Sequence, residues 1–444
     1  MSEQPEQRAR RSVVDELARW LDDRLRLAEG SRRYLDKAFP HHWSFLFGEI
    51  ALFCLVILVL TGIFLTLFYV PDSRLVVYEG PYEPLRGREV SAAYESVLRI
   101  SFEVPAGLLM RQIHHWAALV FVAAIVVHML RVFFTGAFRA PRELNWVIGV
   151  TLLLLAFGAG FTGYSLPDDL LSGTGLRIGY SALLSVPFLG PLLGFIGLGG
   201  EFPGVDTMSR LYILHVLIIP GALVALVAGH LAILLRQKHT QKPGGVARED
   251  NVVGEPLFPN QTLISLSLFA FTAAVLALMG GLLEINPLWL YGTYEPFEVF
   301  APAQPDWYMG WLEGLMRIWP PWEWTLLGVT IPSVFLPGVV VPGILFAVVY
   351  AWPWIDRRWI ARDSDEHHLT DRPRDEPVRT GIGVAGLTLL AVIFVAGSND
   401  VLAAATTTSL QAITLGLRIA CFVLPPLTGY TAYRIALMLE RADR

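Results

Sequence analysis

The chain has 444 residues, 54% of them apolar and 16% charged, with a formal net charge of -5. That composition excludes a soluble domain of this size and describes an integral membrane protein. The charge gives no sign of a nucleic-acid partner, and Cys54 and Cys421, both in apolar stretches, exclude a disulfide framework.

Residues 1–45 form an arginine-rich tail without the apolar core of a signal peptide or span. Within it, Ser12 to Leu27 carries Val13, Val14, Leu17, Trp20, Leu21 and Leu25 at the spacing of one helix face. This predicts an amphipathic helix lying on the cytoplasmic membrane surface, with a soluble cap as the plain alternative. Eight stretches then satisfy the length and hydropathy of a transmembrane helix: 46–69, 112–134, 146–166, 210–235, 262–284, 326–351, 381–397 and 408–437. The seventh is short and contains Gly381, Gly383 and Gly386. The expected fold is all-α, with the first four spans forming a helix bundle over 46–240 and the other four a C-terminal membrane domain over 241–444.

Basic residues set the orientation, because cytoplasmic segments retain an excess of them. The tail has Arg8, Arg10, Arg11, Arg19, Arg24, Arg26, Arg32, Arg33 and Lys37. Arg236, Lys238, Lys242 and Arg248 follow the fourth span, and Arg357, Arg358, Arg362, Arg372, Arg374 and Arg379 follow the sixth. The connection 285–325 has only Arg317, and 398–407 has no basic residue. Both termini are therefore expected in the cytoplasm.

Inside this frame, His114 and His128 lie 14 residues apart on the second span, and His215 and His230 lie 15 apart on the fourth. At about 100° per residue, 14 steps return to within roughly 40° and 15 to within roughly 60° of the start, so each pair shares a face. The two levels are about 21 Å apart along the axis. Both spans run inward, so His114 pairs with His215 at the outer level and His128 with His230 at the inner one. Neutral imidazole is a standard axial ligand to heme iron, and no C-x-x-C-H run would attach heme covalently. A single intramembrane histidine is more often satisfied by a neighbouring helix; four at matching depths are hard to attribute to packing. His115 falls on nearly the opposite face from His128 and is set aside as a ligand. His41, His42, His239, His367 and His368 fall in loops or at span ends, where solvation is the default.

Gly48 and Gly62 on the first span, and Gly149 and Gly163 on the third, repeat the 14-residue interval, as flanking helices must if a macrocycle passes them. Arg111, Arg131 and Arg210 lie within five residues of a candidate ligand, where heme propionates need counter-ions and where snorkelling arginines also occur.

These residues closely resemble cytochrome b, the membrane core of quinol:cytochrome c reductase (cytochrome bc) complexes, over nearly the whole chain from about Tyr34. The histidines, the glycine pairs and Arg111, Arg131 and Arg210 stand where that family has them. The run Gly163-Tyr164-Ser165-Leu166-Pro167 resembles the segment lining its outer quinol site, and Pro305-Asp306-Trp307-Tyr308 resembles its Pro-Glu-Trp-Tyr motif with aspartate for glutamate. The 15-residue interval, Leu46 in place of a heme-bearing cysteine, the unbroken chain and the wording Arg111-Gln112-Ile113-His114-His115-Trp116 look most like the actinobacterial branch. There the quinol is usually menaquinol.

The resemblance implies a respiratory enzyme of the bacterial cell membrane with two b hemes. Quinol at the outer site gives one electron to a Rieske iron–sulfur subunit, and the other crosses the hemes to a quinone near the cytoplasmic face. Protons are thereby translocated. The implied partners are membrane lipid, the Rieske subunit, a membrane-bound diheme cytochrome c, a terminal oxidase in a supercomplex and a second copy in a homodimer. Asp306 would accept a quinol proton, with Glu313 relaying or replacing it, seven residues on. At the inner site the family often uses a histidine after the fourth span and an aspartate early in the fifth. Leu235 and Ser265 align there, and Lys238, His239, Arg248 and Asp250 lie near without an assigned part. Two other readings share features with this one. A diheme b-type anchor of a dehydrogenase or hydrogenase needs no Asp306 motif, and a proton-carrying transporter would show inverted repeats, of which there are none.

Overall fold

Eight helices among the described residues are long and apolar enough to cross a membrane: Trp43–Thr66, Gly107–Phe134, Glu143–Ser165, Thr207–Gln237, Leu257–Leu282, Leu336–Ile360, Pro377–Ala396 and Leu410–Ala442. The structure is a computed structural model that describes residues 13–25, 37–40, 42–298 and 304–443. With 20 to 33 residues, each helix has at least the roughly 20 that a hydrocarbon core of roughly 30 Å requires.

Seven spans lie within about five residues of their expected bounds; the sixth does not. Its expected start is occupied by a hairpin, Trp324–Leu326 paired antiparallel with Val329–Ile331, and the helix begins only at Leu336. The two turn residues, Leu327 and Gly328, both have positive φ, the geometry of a tight two-residue hairpin. An apolar run of this length fits a strand pair as well as a helix turn, so hydropathy alone misplaced the boundary. At its other end the helix continues past Pro353 into a wider turn, Asp356–Ile360. In the seventh span Gly381 lies against the backbone of Gly429 on the eighth, and a side chain on either would collide with the other helix. Gly383 lies instead against Phe133 and Phe134 of the second span, and a side chain on Gly386 would meet nothing within 4 Å among the described residues, so two of the three glycines mark close packing.

The second span packs along the first and the fourth along the third, while the fifth covers the first two. One core runs through them, including Cys54, Leu55, Ala117, Val122, Ala156 and Leu223, and it also takes in Leu276 of the fifth span and Tyr308. Residues beyond 240 therefore complete the core of the first four spans. Shorter helices at one end, among them Ala92–Phe102, Leu170–Leu184, Gly190–Leu198 and Gly310–Ile318, are too short to be read as spans.

The opposite end gathers the basic loops. Arg142 donates to the carbonyls of Gln237, Lys238 and His367, and Arg139 pairs with Asp371 at 2.8 Å. Arg379, fully buried, pairs with Asp356 at 2.9 Å and Asp371 at 2.7 Å. The connections after the second, fourth and sixth spans thus meet on one side. In the tail, Val13–Leu25 is helical, with Leu17 and Trp20 exposed and Arg24 4.2 Å from the Trp20 ring. Ser12, Arg26, Leu27, the remaining tail arginines except Arg19, and His41 lie outside the described residues.

Candidate functional site

The second and fourth spans bring His114 and His215 together, ring centroids 6.1 Å apart and planes 70° apart. Two metal–nitrogen bonds of about 2 Å each, plus the two half-rings, make roughly 6 Å, so the pair has the separation needed for one iron between them. The hydrogen bonds fix which nitrogen is free. Thr61 Oγ1 donates its hydrogen to the Ile57 carbonyl at 2.7 Å, so it accepts from His114 Nδ1–H at 2.9 Å. His215 Nδ1 donates to the Ala159 carbonyl at 3.0 Å, with Thr162 Oγ1 at 3.3 Å. Both rings therefore keep Nε2 unprotonated and free for a metal.

The 15-residue interval of the fourth span has a local cause. Leu214–Ile218, which contains His215, is a π turn in which the Ile219 amide bonds the Leu214 carbonyl. Pro220 follows, with no amide hydrogen to close the ordinary ladder. A π turn absorbs one extra residue, bringing 15 residues here into register with 14 on the second span.

Each of the four glycines faces one histidine. A Cβ at Gly163 would collide with the His215 ring, and one at Gly48 or Gly62 would lie 3.1 Å from His128 or 3.3 Å from His114. At Gly149 it would lie 3.9 Å from His230, an ordinary contact. Expected as clearance for a macrocycle, the glycines clear the imidazoles first. At the inner level, Nδ1 of His128 and of His230 is buried without a partner among the described residues.

Arg111 gives one donor to the Asn286 carbonyl at 3.2 Å and keeps Nε and Nη2 buried and unpartnered among the described residues. Arg131 keeps Nε buried in the same state and stands 4.1 Å from the Phe45 ring. Buried guanidinium donors of this kind fit an anionic partner such as a heme carboxylate. Arg210 is placed differently. Its Nη1 donates to the carbonyls of Phe195 and Ile196, closing the helix Gly190–Leu198.

A cavity of about 600 Å³ joins this outer pair to the Asp306 motif. Its walls include His114, His215, Gly62, Gly163 and Arg111, together with His115, Tyr164, Asp169, Asp306 and Tyr308. Asp306 precedes the turn Trp307–Met309, and both its oxygens contact His115 Nε2, at 2.9 and 3.0 Å. The Tyr308 hydroxyl donates to Asp306 Oδ2 at 3.4 Å, and its ring lies against Gly160. The Tyr164 hydroxyl donates to the Leu171 carbonyl at 3.0 Å. Pro305 is half-buried and Trp307 exposed. Glu313 does not line the cavity. It pairs with Arg317, which also holds Asp400 at 2.8 Å; burial raises its carboxyl while Arg317 pulls it back.

Two site features escaped the sequence reading. His115, set aside as a ligand, is the partner of Asp306; the signal was a second histidine on the ligand helix, turned about 100° from His114. Asp168 and Asp169 follow the Tyr164 segment, and burial pushes each carboxyl up to about 6. Asp169 caps the next helix, accepting from the Ser172 amide at 3.1 Å, a pattern visible as Asp-x-x-Ser.

At the inner end, Ser265 Oγ donates to Glu49 Oε2 at 2.8 Å and Gln261 Nε2 donates to Oε1 at 3.0 Å. Glu49 follows Gly48, the neighbour of His128, so this carboxylate stands at the inner level. The Leu235 carbonyl accepts from Lys37 Nζ at 2.5 Å. His239 packs on Phe39 and Phe45, and burial, then Arg131 and Arg142, push it down to about 3, which keeps it neutral. Arg248 and Asp250 are exposed.

Comparison with known proteins agrees with this architecture. The family model for cytochrome b (N-terminal)/b6/petB matches residues 119–293. The cytochrome bc1 complex cytochrome b subunit of Mycobacterium tuberculosis (strain ATCC 25618 / H37Rv) is 49% identical over 97% of this chain and 78% of its own. Its counterpart in Streptomyces coelicolor is 46% identical over 98% of this chain and 80% of its own, and that of Corynebacterium diphtheriae 48% identical over 97% and 79%. A solved hyperthermophilic respiratory Complex III chain superposes with a TM-score of 0.66 at 22% identity, covering 94% of this chain and 99% of its own, and shares the fold. By these matches the chain belongs to the cytochrome b subunits of cytochrome bc1 complexes, multi-pass membrane proteins of respiratory electron transport that carry b-type heme.

Proposed function

We propose that the chain oxidises a quinol at the outer cavity and reduces a quinone at the inner end, with both termini in the cytoplasm. The observation that carries this reading is that one cavity is walled both by the His114–His215 pair and by the Asp306 motif. A membrane anchor that only passes electrons to quinone has no use for the second wall.

His114 and His215 would hold an outer heme and His128 and His230 an inner one, with Arg111 and Arg131 neutralising heme carboxylates. Bound there, the hemes supply one-electron transfer across the membrane. Quinol oxidation releases two electrons and two protons. One electron leaves for a Rieske iron–sulfur subunit, which passes it to a cytochrome c subunit, and the other is carried inward. The cavity walls exclude water and position the quinol, Tyr164 on one side and Asp306 with Tyr308 on the other. At the inner end Glu49, oriented by Gln261 and Ser265, is the carboxylate placed to protonate the reduced quinone. Protons therefore leave outside and enter inside. Menaquinol is the substrate implied by the likeness to the actinobacterial branch.

The test is a potentiometric titration of the purified complex followed optically, together with quinol:cytochrome c reductase activity. Two b-type components with separate midpoints, the outer one lost in His215→Leu, support the reading. A single component would sink it.

A further inference from the structure

We propose that a groove at the end of the sixth span binds the headgroup of an anionic phospholipid, its phosphate held by Arg358 and Arg362 and its glycerol end flanked by Trp354 and Trp359. The inference stands apart from the quinol chemistry proposed above and needs only that this helix crosses a membrane.

The groove has a volume of about 530 Å³ and lies where the helix Leu336–Ile360 leaves its apolar run. Three arginines line it, Arg357, Arg358 and Arg362, with one acid, Asp363. Two of these four are already engaged. Arg357 stands 3.6 Å from Glu143, and Asp363 pairs with His367 Nε2 and accepts from the Asp365 amide, each at 2.9 Å. Arg358 and Arg362 are exposed and make no hydrogen bond or ion pair among the described residues. Two guanidinium groups without a counter-ion therefore line one groove. Each is a planar fork that matches two oxygens of a phosphate, which makes a phosphodiester the fitting anion.

The frame around them is fixed by the protein alone. Asp356, directly before Arg357, is buried and accepts from Arg379 Nε and Nη2 at 2.9 and 3.0 Å. The Ala361 amide closes the wide turn Asp356–Ile360 on the Asp356 carbonyl at 2.9 Å. Arg362 follows at φ 56°, a conformation that glycine or asparagine adopts at less cost. The two rings commit the groove to lipid over a free anion. Trp354 is 43% exposed and Trp359 65%, at the end of a span, where tryptophan sits between acyl chains and headgroups. A soluble phosphate has no use for that apolar surface, whereas a basic groove beside a span is the footprint of an acidic headgroup. Net negative charge is required as well, because a choline headgroup returns a positive charge to the arginines.

The test uses the purified complex in detergent with dioleoylphosphatidylglycerol or dioleoylphosphatidylcholine, native mass spectrometry counting the lipid retained. The Arg358→Gln/Arg362→Gln variant should bind phosphatidylglycerol roughly 30-fold more weakly, about fivefold for each arginine. Arg236→Gln removes an exposed arginine from the same end of the protein but outside the groove, and should bind as wild type does. Equal weakening in Arg236→Gln means diffuse surface charge and overturns the inference, as does equal retention of phosphatidylcholine by wild type. Inorganic phosphate that raises the melting temperature of wild type as much as phosphatidylglycerol does, and not that of the double variant, makes the occupant a free anion and overturns the assignment to lipid. If the double variant fails to assemble, tryptophan fluorescence decides. Phosphatidylglycerol with brominated chains should quench wild type more than brominated phosphatidylcholine, and Trp359→Phe should lose that excess. No excess in wild type, or one unchanged in Trp359→Phe, overturns the inference.

Discussion

Thr61 accepts a hydrogen bond from His114 across 53 residues of sequence, and Thr162 approaches His215 across the same 53. Each threonine directly precedes the glycine that faces the same histidine, so a Thr-Gly pair on one span orients and clears the imidazole on the next. His114 lies closer to its threonine, at 2.9 Å against 3.3 Å, and His215 Nδ1 has the Ala159 carbonyl at 3.0 Å as its nearer acceptor. Thr61→Val, which keeps the shape and removes the acceptor, should weaken retention of the outer heme by about 10- to 100-fold. It should also raise that heme's midpoint, because a less basic imidazole stabilises ferric iron less. Thr162→Val should change both less. Heme content and redox titration of the two variants check the order.

The glycine contacts predict a gradient. Gly163→Ala forces the His215 ring aside and should abolish the outer b component, whereas Gly149→Ala adds an ordinary contact and should leave the inner one in place. Gly48→Ala and Gly62→Ala, with gaps of 3.1 and 3.3 Å, should fall between. Optical spectra of the four purified variants decide it, and equal losses in all four would contradict the geometry.

Much of this was legible because a heme-binding bundle writes itself periodically. Ligands and glycines repeat at helical intervals, and eight apolar runs announce eight spans. Partners distant in sequence were not legible. His115 meets Asp306 across 191 residues and Glu49 meets Ser265 across 216, and no local spacing encodes either contact. Nor does hydropathy reveal that Trp324–Ile331 folds as a hairpin or that a π turn absorbs a residue at His215. Both depend on which backbone amides find partners, a property of Gly328 and Pro220 and not of apolar content.

Glu49 supplies a carboxylate at the inner level where Ser265 on the fifth span has none to offer. Glu49→Gln preserves size and should slow reoxidation of the inner heme by quinone at least tenfold while leaving its reduction from the outer side unchanged. Ser265→Ala, which removes one of two donors to that carboxylate, should have a smaller effect in the same direction. Stopped-flow heme kinetics separate the two half-reactions.

Arg379 is the buried cation that ties the end of the sixth span to the start of the seventh, through Asp356 and Asp371. Arg379→Ala strands Asp356, whose side chain is only 1% accessible, while Asp371 keeps Arg139 at 2.8 Å, and should destabilise the subunit by about 3–5 kcal/mol. The double variant Arg379→Leu with Asp356→Leu should recover much of that loss, since an apolar pair leaves fewer unmatched charges. Thermal denaturation of the detergent-solubilised complex measures both. Recovery no better than Arg379→Ala alone would count against the pairing with Asp356.

Asp168 sits in a left-handed backbone conformation with φ 55°, and burial holds its carboxyl up at about 6 against an ordinary 3.8. The folded chain therefore keeps a proton that the unfolded chain has lost between those two values, and stability falls as pH rises through that window. Asn tolerates the same φ and carries no charge to desolvate. Asp168→Asn should match wild type near pH 4, gain on it progressively as pH rises, and reach its full advantage above pH 6. Melting temperatures of the two proteins at pH 4, 5, 6 and 8 test the sign. An advantage largest at pH 4 would mean that the ionised carboxylate is the stabilised form and that the Ser91 hydroxyl outweighs burial.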